Sequence, residues 1–159
     1  MAIASTSSAT SAELRSANRR RVLHAVYEPM GISKQDLSQR LSMSLPTVTQ
    51  NLKEFEAMGL IERRGLCEST GGRKAQIYHF VSDARVAVGA ILLKEFYRIV
   101  IVDLYGNVLK SERFSTPFAR TPAYFEQLGR NIRTSTSGLT CRTDQILGAA
   151  IALQGLVSH

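Results

Sequence analysis

Two serines eleven residues apart, Ser33 and Ser44, each stand at a helix start, and Gly59 closes the second of those helices. Ser33 precedes a run with Asp36 at its third helical position, close to a capping box. That helix is expected to reach about Leu41 and to bury Leu37 and Leu41. After a Ser-Met-Ser break, Ser44 caps a further helix whose first turn holds Leu45 and Pro46, where proline is tolerated. It continues through Ala57 until Gly59. Two short helices joined by so short a turn leave few folds open.

The flanking segments narrow the choice. From about Ala17 to Tyr27, Val22, Ala25 and Val26 fall on one side of a helix, and Pro29 and Gly31 end it. Beyond Gly59, Leu60–Glu62 reads as a strand and Gln76–Val81 as its return. Between them Gly71 and Gly72 mount Arg73 and Lys74 on a loop tip. Three helices and a hairpin describe a winged helix-turn-helix over residues 17–82, with residues 1–16, rich in Ser, Ala and Thr, as a disordered leader.

A basic glycine turn is compatible with a plain solvated hairpin. After a helix-turn-helix it is placed to meet a phosphate backbone or minor groove. On the third helix, Val48, Leu52 and Phe55 share one arc with Leu45 beside them, predicting the core face at 100° per residue. Gln50 lies opposite, with Thr47 and Lys53 near it. Such residues also make an ordinary solvated face. In the recognition position, however, Gln can pair with adenine, Thr can meet a base edge, and Lys53 can reach guanine or phosphate. Glu54 would repel phosphate unless it is paired. Ser33, Lys34 and Gln35 open the second helix, where backbone amides suit a phosphate, and Ser44 holds the same place on the third. Arg64 enters the wing beside Arg63. The expected contacts with double-stranded DNA are thus Ser33, Lys34, Gln35, Ser44, Thr47, Gln50, Lys53, Arg64, Arg73 and Lys74. Arg19, Arg20 and Arg21 are either further backbone contacts or a solvated run.

Charge agrees with a polyanionic partner without naming one: formal net charge is +7 at pH 7 over 159 residues. The excess is spread along the chain, with 12 basic and 8 acidic residues up to Arg85 and 8 and 5 after it. Its placement within each part therefore carries more information than its total. Cys67 and Cys141 have no ligand or disulfide spacing and read as free thiols of a reducing cytoplasm. No stretch has the length of a membrane span. No catalytic pair, cofactor motif or metal cluster is legible, and His24 and His79 read as packing or surface residues. The chain is not expected to be an enzyme.

After Arg85 the pattern changes. Apolar strands are expected over Val86–Leu93 and Tyr97–Gly106, with a turn near Gly106 and Asn107 and a third strand at Val108–Phe114. A helix from about Thr121 to Arg133 and a buried fourth strand at Ile146–Leu153 follow. That is the beginning of an α/β sheet over residues 86–159, stopping before its crossover partners.

With both halves in view the chain resembles the repressor branch of the ROK family. The resemblance is carried by Asn18–Leu23 (NRRRVL), Ser33–Ser38 (SKQDLS), Pro46–Thr49 (PTVT), Gly71–Lys74 (GGRK), Asp103–Val108 (DLYGNV) and Gly148–Val157 (GAAIALQGLV). It implies an N-terminal winged helix joined to an actin-like, RNase H-like α/β domain. It also implies a repressor or activator of carbohydrate-use genes, xylose metabolism among them. Family members dimerise and release DNA when a sugar binds the second domain. Their kinases carry Asp-x-Gly-Gly-Thr where this chain has Ile91–Glu95, and Gln154 stands in place of a usual proline. The sugar-binding residues and zinc cysteines would lie beyond His159. A sugar effector is therefore expected only in a full-length form, with this chain a truncated one. The competing readings are a remnant sugar kinase or carbohydrate-binding module, and a winged-helix protein-interaction module.

Overall fold

The computed structural model describes residues 10–67, 75–137 and 143–154. The chain divides into two compact units, one up to Val81 and one from Ser82.

The first unit opens with α1 (Ser11–Val26). Thr10 and Glu13 form a reciprocal capping box: the Thr10 amide donates to Glu13 Oε2 at 2.6 Å, and the Glu13 amide donates to Thr10 Oγ1 at 3.3 Å. Residues 11–16, expected to lie in a disordered leader, are therefore helical, because these two bonds satisfy amides that a helix start leaves open. Only the second half of α1 reaches the core, through Val22, Ala25 and Val26.

A two-residue strand, β1 (Ile32–Ser33), leads into α2 (Lys34–Leu41), and α3 (Leu45–Ala57) follows. Ser42 closes α2 in the left-handed region at φ 52°. The Met43 amide then donates to the Ser38 carbonyl, and Ser38 Oγ donates to the Met43 carbonyl. The buried Met43 thus pins the turn between α2 and α3. Leu37 is fully buried as expected, whereas Leu41 is only half-buried. The strands β2 (Ile61–Cys67) and β3 (Ala75–Phe80) pair antiparallel, and β1 adds to the outer side of β3 through Ile32–Tyr78 and Ser33–Ile77. A register shift between Arg63 and Leu66 bends β2, with Gly65 at φ +68° inside it. Gln76 Nε2 donates to the Gly65 carbonyl across the bulge at 2.9 Å.

The second unit is a four-stranded sheet of β4 (Val86–Leu92), β5 (Tyr97–Val102), β6 (Val108–Phe114) and β7 (Ile146–Leu153), in the order β6-β5-β4-β7. The first three form an antiparallel meander, and β7 joins β4 in parallel. A helix, α4 (Pro122–Ser137), separates β6 from β7 in sequence. It packs Tyr124 and Leu128 against Val86, Val88, Ala90, Leu92, Tyr97, Ile99 and Ile101. Asp103 fixes the β5–β6 turn, accepting from the Tyr105 amide at 2.9 Å, the Asn107 amide at 2.8 Å and Asn107 Nδ2 at 3.0 Å.

The expected burial of Ile146–Leu153 is corrected. The strand forms, but Leu147 is 65% exposed and Ile151 and Leu153 are each 57% exposed. The register pairs Ala90 with Ile151 and Leu92 with Leu153. Those two side chains therefore share the core face of β4, yet the helix stops short of the edge strand. An apolar run predicts a strand; it does not supply a cover.

Candidate nucleic-acid interface

The third helix presents two faces. Val48, Leu52 and Phe55 are at most 1% exposed and form its inner arc. Leu45, expected beside them, is 47% exposed, because the first helical turn projects past the core that the arc covers. The outer face carries exposed Pro46, Gln50 and Lys53, with Thr47 half-buried.

Ser44 caps this helix. Its hydroxyl accepts from the Thr47 amide at 3.4 Å and lies 2.9 Å from Thr47 Oγ1. Asn51 Nδ2 donates to the Thr47 carbonyl at 2.8 Å, tying the first turn to the second. Gln50 Nε2 donates to Glu54 Oε1 at 3.0 Å, so the carboxylate that would repel phosphate is engaged by the residue expected to read a base.

Ser33 is the N-cap of α2. It is only 3% exposed, its Oγ donates to Asp36 Oδ2 and accepts from the Asp36 amide. Its side chain is taken up by capping α2, so any contact there falls to the backbone amides of the helix start. The neighbours Lys34, half-buried, and Gln35, exposed, remain on the surface at that helix start.

The arginine run of α1 divides by task. Arg19 Nη2 donates to Met58 Sδ at 3.0 Å, and its guanidinium lies 5.6 Å from the Phe55 ring centroid. Arg21 Nη2 donates to the Leu41 carbonyl at 2.7 Å, neutralising part of the negative end of α2. Both therefore brace the helices against one another. In the hairpin, Arg63 pairs with Glu56 at 2.7 Å and stacks over Tyr78, whereas Arg64 pairs with Glu62 at 2.6 Å and stays largely exposed. Arg73 and Lys74, with the glycines that carry them, lie outside the described residues. So does Cys141, and so does the side chain of Cys67.

An open groove of about 620 Å³ runs between the first half of α1 and the outer face of α3. Arg15, Asn18 and Arg19 line one wall, and Thr47, Gln50 and Glu54 the other. Arg15 was not among the expected contacts. The Thr10-x-x-Glu13 spacing would have placed it on a helix, but no pattern in the sequence says that this helix runs beside α3.

Residues 15–62 match a family model described as winged helix-turn-helix DNA-binding. The first unit is a winged helix-turn-helix domain. Over 140 residues the chain is 19% identical to the uncharacterized protein y4fQ of Sinorhizobium fredii (strain NBRC 101917 / NGR234), covering 88% of this chain and 36% of that protein. It is also similar to a crystal structure of a ROK family transcriptional regulator described as a homolog of the E. coli MLC protein. There the identity is 20%, the TM-score 0.62, and the coverage 91% of this chain and 37% of the other. The chain thus spans little more than a third of the length of these relatives. At this identity the likeness is one of fold, and it covers the winged helix and the mixed sheet that follows it.

In the second unit, the positions matching the kinase phosphate loop fall on the end of β4 and the β4–β5 turn. The Leu93 amide donates to the Phe96 carbonyl, and Lys94 and Glu95 are exposed. No glycine is present there to bring backbone amides around a phosphate. Among the described residues no group of three His, Cys, Asp or Glu side chains could hold a metal ion. No helix among them is long and apolar enough to cross a membrane.

Proposed function

We propose that this chain acts in transcriptional regulation as a sequence-specific binder of duplex DNA, with α3 entering the major groove. The observation that carries the reading is the outer face of α3. Gln50, Thr47 and Lys53 stand opposite the Val48–Leu52–Phe55 arc, on the second helix of a helix-turn-helix. In this arrangement Gln50 reads a base edge, Lys53 meets guanine or phosphate, and Lys34, Gln35, Ser44 and Arg64 set the register on the backbone. Arg73 and Lys74, outside the described residues, are included in this reading on their sequence alone.

The finer reading is a cytoplasmic repressor of carbohydrate-use genes, and not an enzyme. Its support is the fold shared with a ROK family transcriptional regulator over the winged helix and the sheet. Dimerisation and a sugar effector belong to this proposal for proteins of the relatives' full length.

Gel shifts against random-sequence duplex pools at two salt concentrations, followed by selection of bound sequences, test it. The reading expects binding that weakens steeply with salt and a selected sequence bound more tightly than the pool. Absence of duplex binding at low salt would favour a protein-interaction module instead.

A further inference from the structure

The first half of α1 is an ordered helix that buries nothing: residues 11–17 are exposed, and the core contacts begin only at Val22. It nevertheless forms a wall of the groove whose other wall is the outer face of α3. Arg15 lines it together with Arg19, whose guanidinium is held by Met58 and Phe55, and Glu54 is the one acidic residue of the lining. Glu54 already accepts the Gln50 amide. Arg15 Nη2 donates only to a neutral hydroxyl, Ser11 Oγ at 3.1 Å, and pairs with no carboxylate among the described residues. Glu13, two residues away, is turned to the helix start by its bonds to Thr10.

We infer that this groove is a phosphate-binding cleft: Arg15, assisted by Asn18, holds one phosphodiester strand of the duplex that α3 reads. The inference rests on the proposal that α3 enters the major groove. An object that approaches closely enough to meet Gln50 brings its flanking strand against the α1 wall. Apart from Pro46 the lining residues are polar or charged, and their aliphatic stems carry Arg15 and Asn18 to the edge where a sugar-phosphate chain would pass.

Arg20 provides an internal control, since it lies on the same helix, is exposed and does not line the groove. The test is fluorescence anisotropy with a labelled random-sequence duplex across a salt series. The wild-type chain is compared with Arg15→Ala, Arg15→Lys and Arg20→Ala, with helicity checked by circular dichroism. Arg15→Ala is expected to lower the slope of log affinity against log salt by about 0.9, the share of one phosphate contact. Arg15→Lys, which keeps the charge, restores most of that slope, and Arg20→Ala leaves it unchanged.

An unchanged slope in Arg15→Ala, or equal losses in Arg15→Ala and Arg20→Ala, overturns the cleft while leaving α3 as a DNA reader. Arg15-dependent binding of polyglutamate, with Arg15-independent binding of duplex, overturns it in favour of an acidic protein segment. If the wild-type chain binds no duplex at low salt, the functional proposal itself fails, and the cleft fails with it.

Discussion

Gln50 and Glu54 are joined across one turn of α3, with Gln50 Nε2 donating to Glu54 Oε1 at 3.0 Å. An ionised carboxylate only accepts, so the amide nitrogen of Gln50 must face Glu54. The bond uses one of the two N–H groups and leaves the other, with the carbonyl oxygen, unclaimed by Glu54 on an exposed side chain. That pair is what adenine requires from glutamine. Replacing Glu54 by Ala should therefore act in two directions. Binding to random duplex should tighten by on the order of 0.5–1 kcal/mol, as a negative charge leaves the interface. Preference at the base read by Gln50 should broaden. Selection from a random pool, repeated with the variant, checks both.

Gly31 occupies the left-handed region at φ +70°, and a Cβ placed there would lie 2.6 Å from the His79 ring and 2.7 Å from Ile77 Cγ2. The turn between α1 and β1 thus needs glycine for its backbone and for its space. Gly31→Ala should destabilise the first unit by about 1–2 kcal/mol from the backbone alone. Thermal unfolding followed by circular dichroism measures this.

Acid should weaken the second unit. Burial would raise the Asp103 carboxyl, but hydrogen bonds from Asn107, Ser82 and Tyr105 outweigh it and leave the group below its ordinary value. Glu112 is lowered by the hydrogen bond from Ser135, against an opposing effect of burial and with help from Lys110. A lowered folded-state value means that the stabilisation is complete above the ordinary carboxylate range, about pH 4.5 and higher. It is lost as the pH falls through the lowered values. Asp103→Ala should remove the Asp103 share of that dependence, leaving that of Glu112, and cost about 2 kcal/mol, since the turn amides lose their acceptor. Urea titrations between pH 3 and pH 7 report on both.

The edge strand β7 leaves Ile151 and Leu153 uncovered on the core face of the sheet. An exposed apolar edge is a template for pairing with another copy. This chain should self-associate with rising concentration. Leu153→Lys should shift its sedimentation profile towards monomer while leaving duplex binding by the first unit intact.

The sequence was most legible where periodicity and caps agree. Val48, Leu52 and Phe55 recur at helical spacing, and Ser33 and Ser44 cap α2 and α3 as their hydrogen-bonding chemistry suggests. Beyond such local rules, legibility fell away. The strand β1 has two residues and no pattern of its own; it exists because Tyr78 and Ile77 lie opposite. Helical spacing puts Leu45 beside the core arc and an apolar run predicts burial of Ile151, but burial depends on what packs above them, and both are exposed. The cap at Thr10 was written in the sequence, yet the low apolar content of residues 11–16 hid the helix that follows. At the candidate site, the exposed face of α3 follows from spacing alone. The α1 wall does not, because it depends on how two helices lie in space.

The measurement that bears most directly on the account compares wild-type chain and Gln50→Ala on a selected duplex and on a random-sequence duplex. If α3 reads bases through Gln50, the variant loses about 1–3 kcal/mol on the selected sequence and almost nothing on the random one. Equal losses on the two duplexes, or none on either, would contradict the assignment of α3 as the reading element.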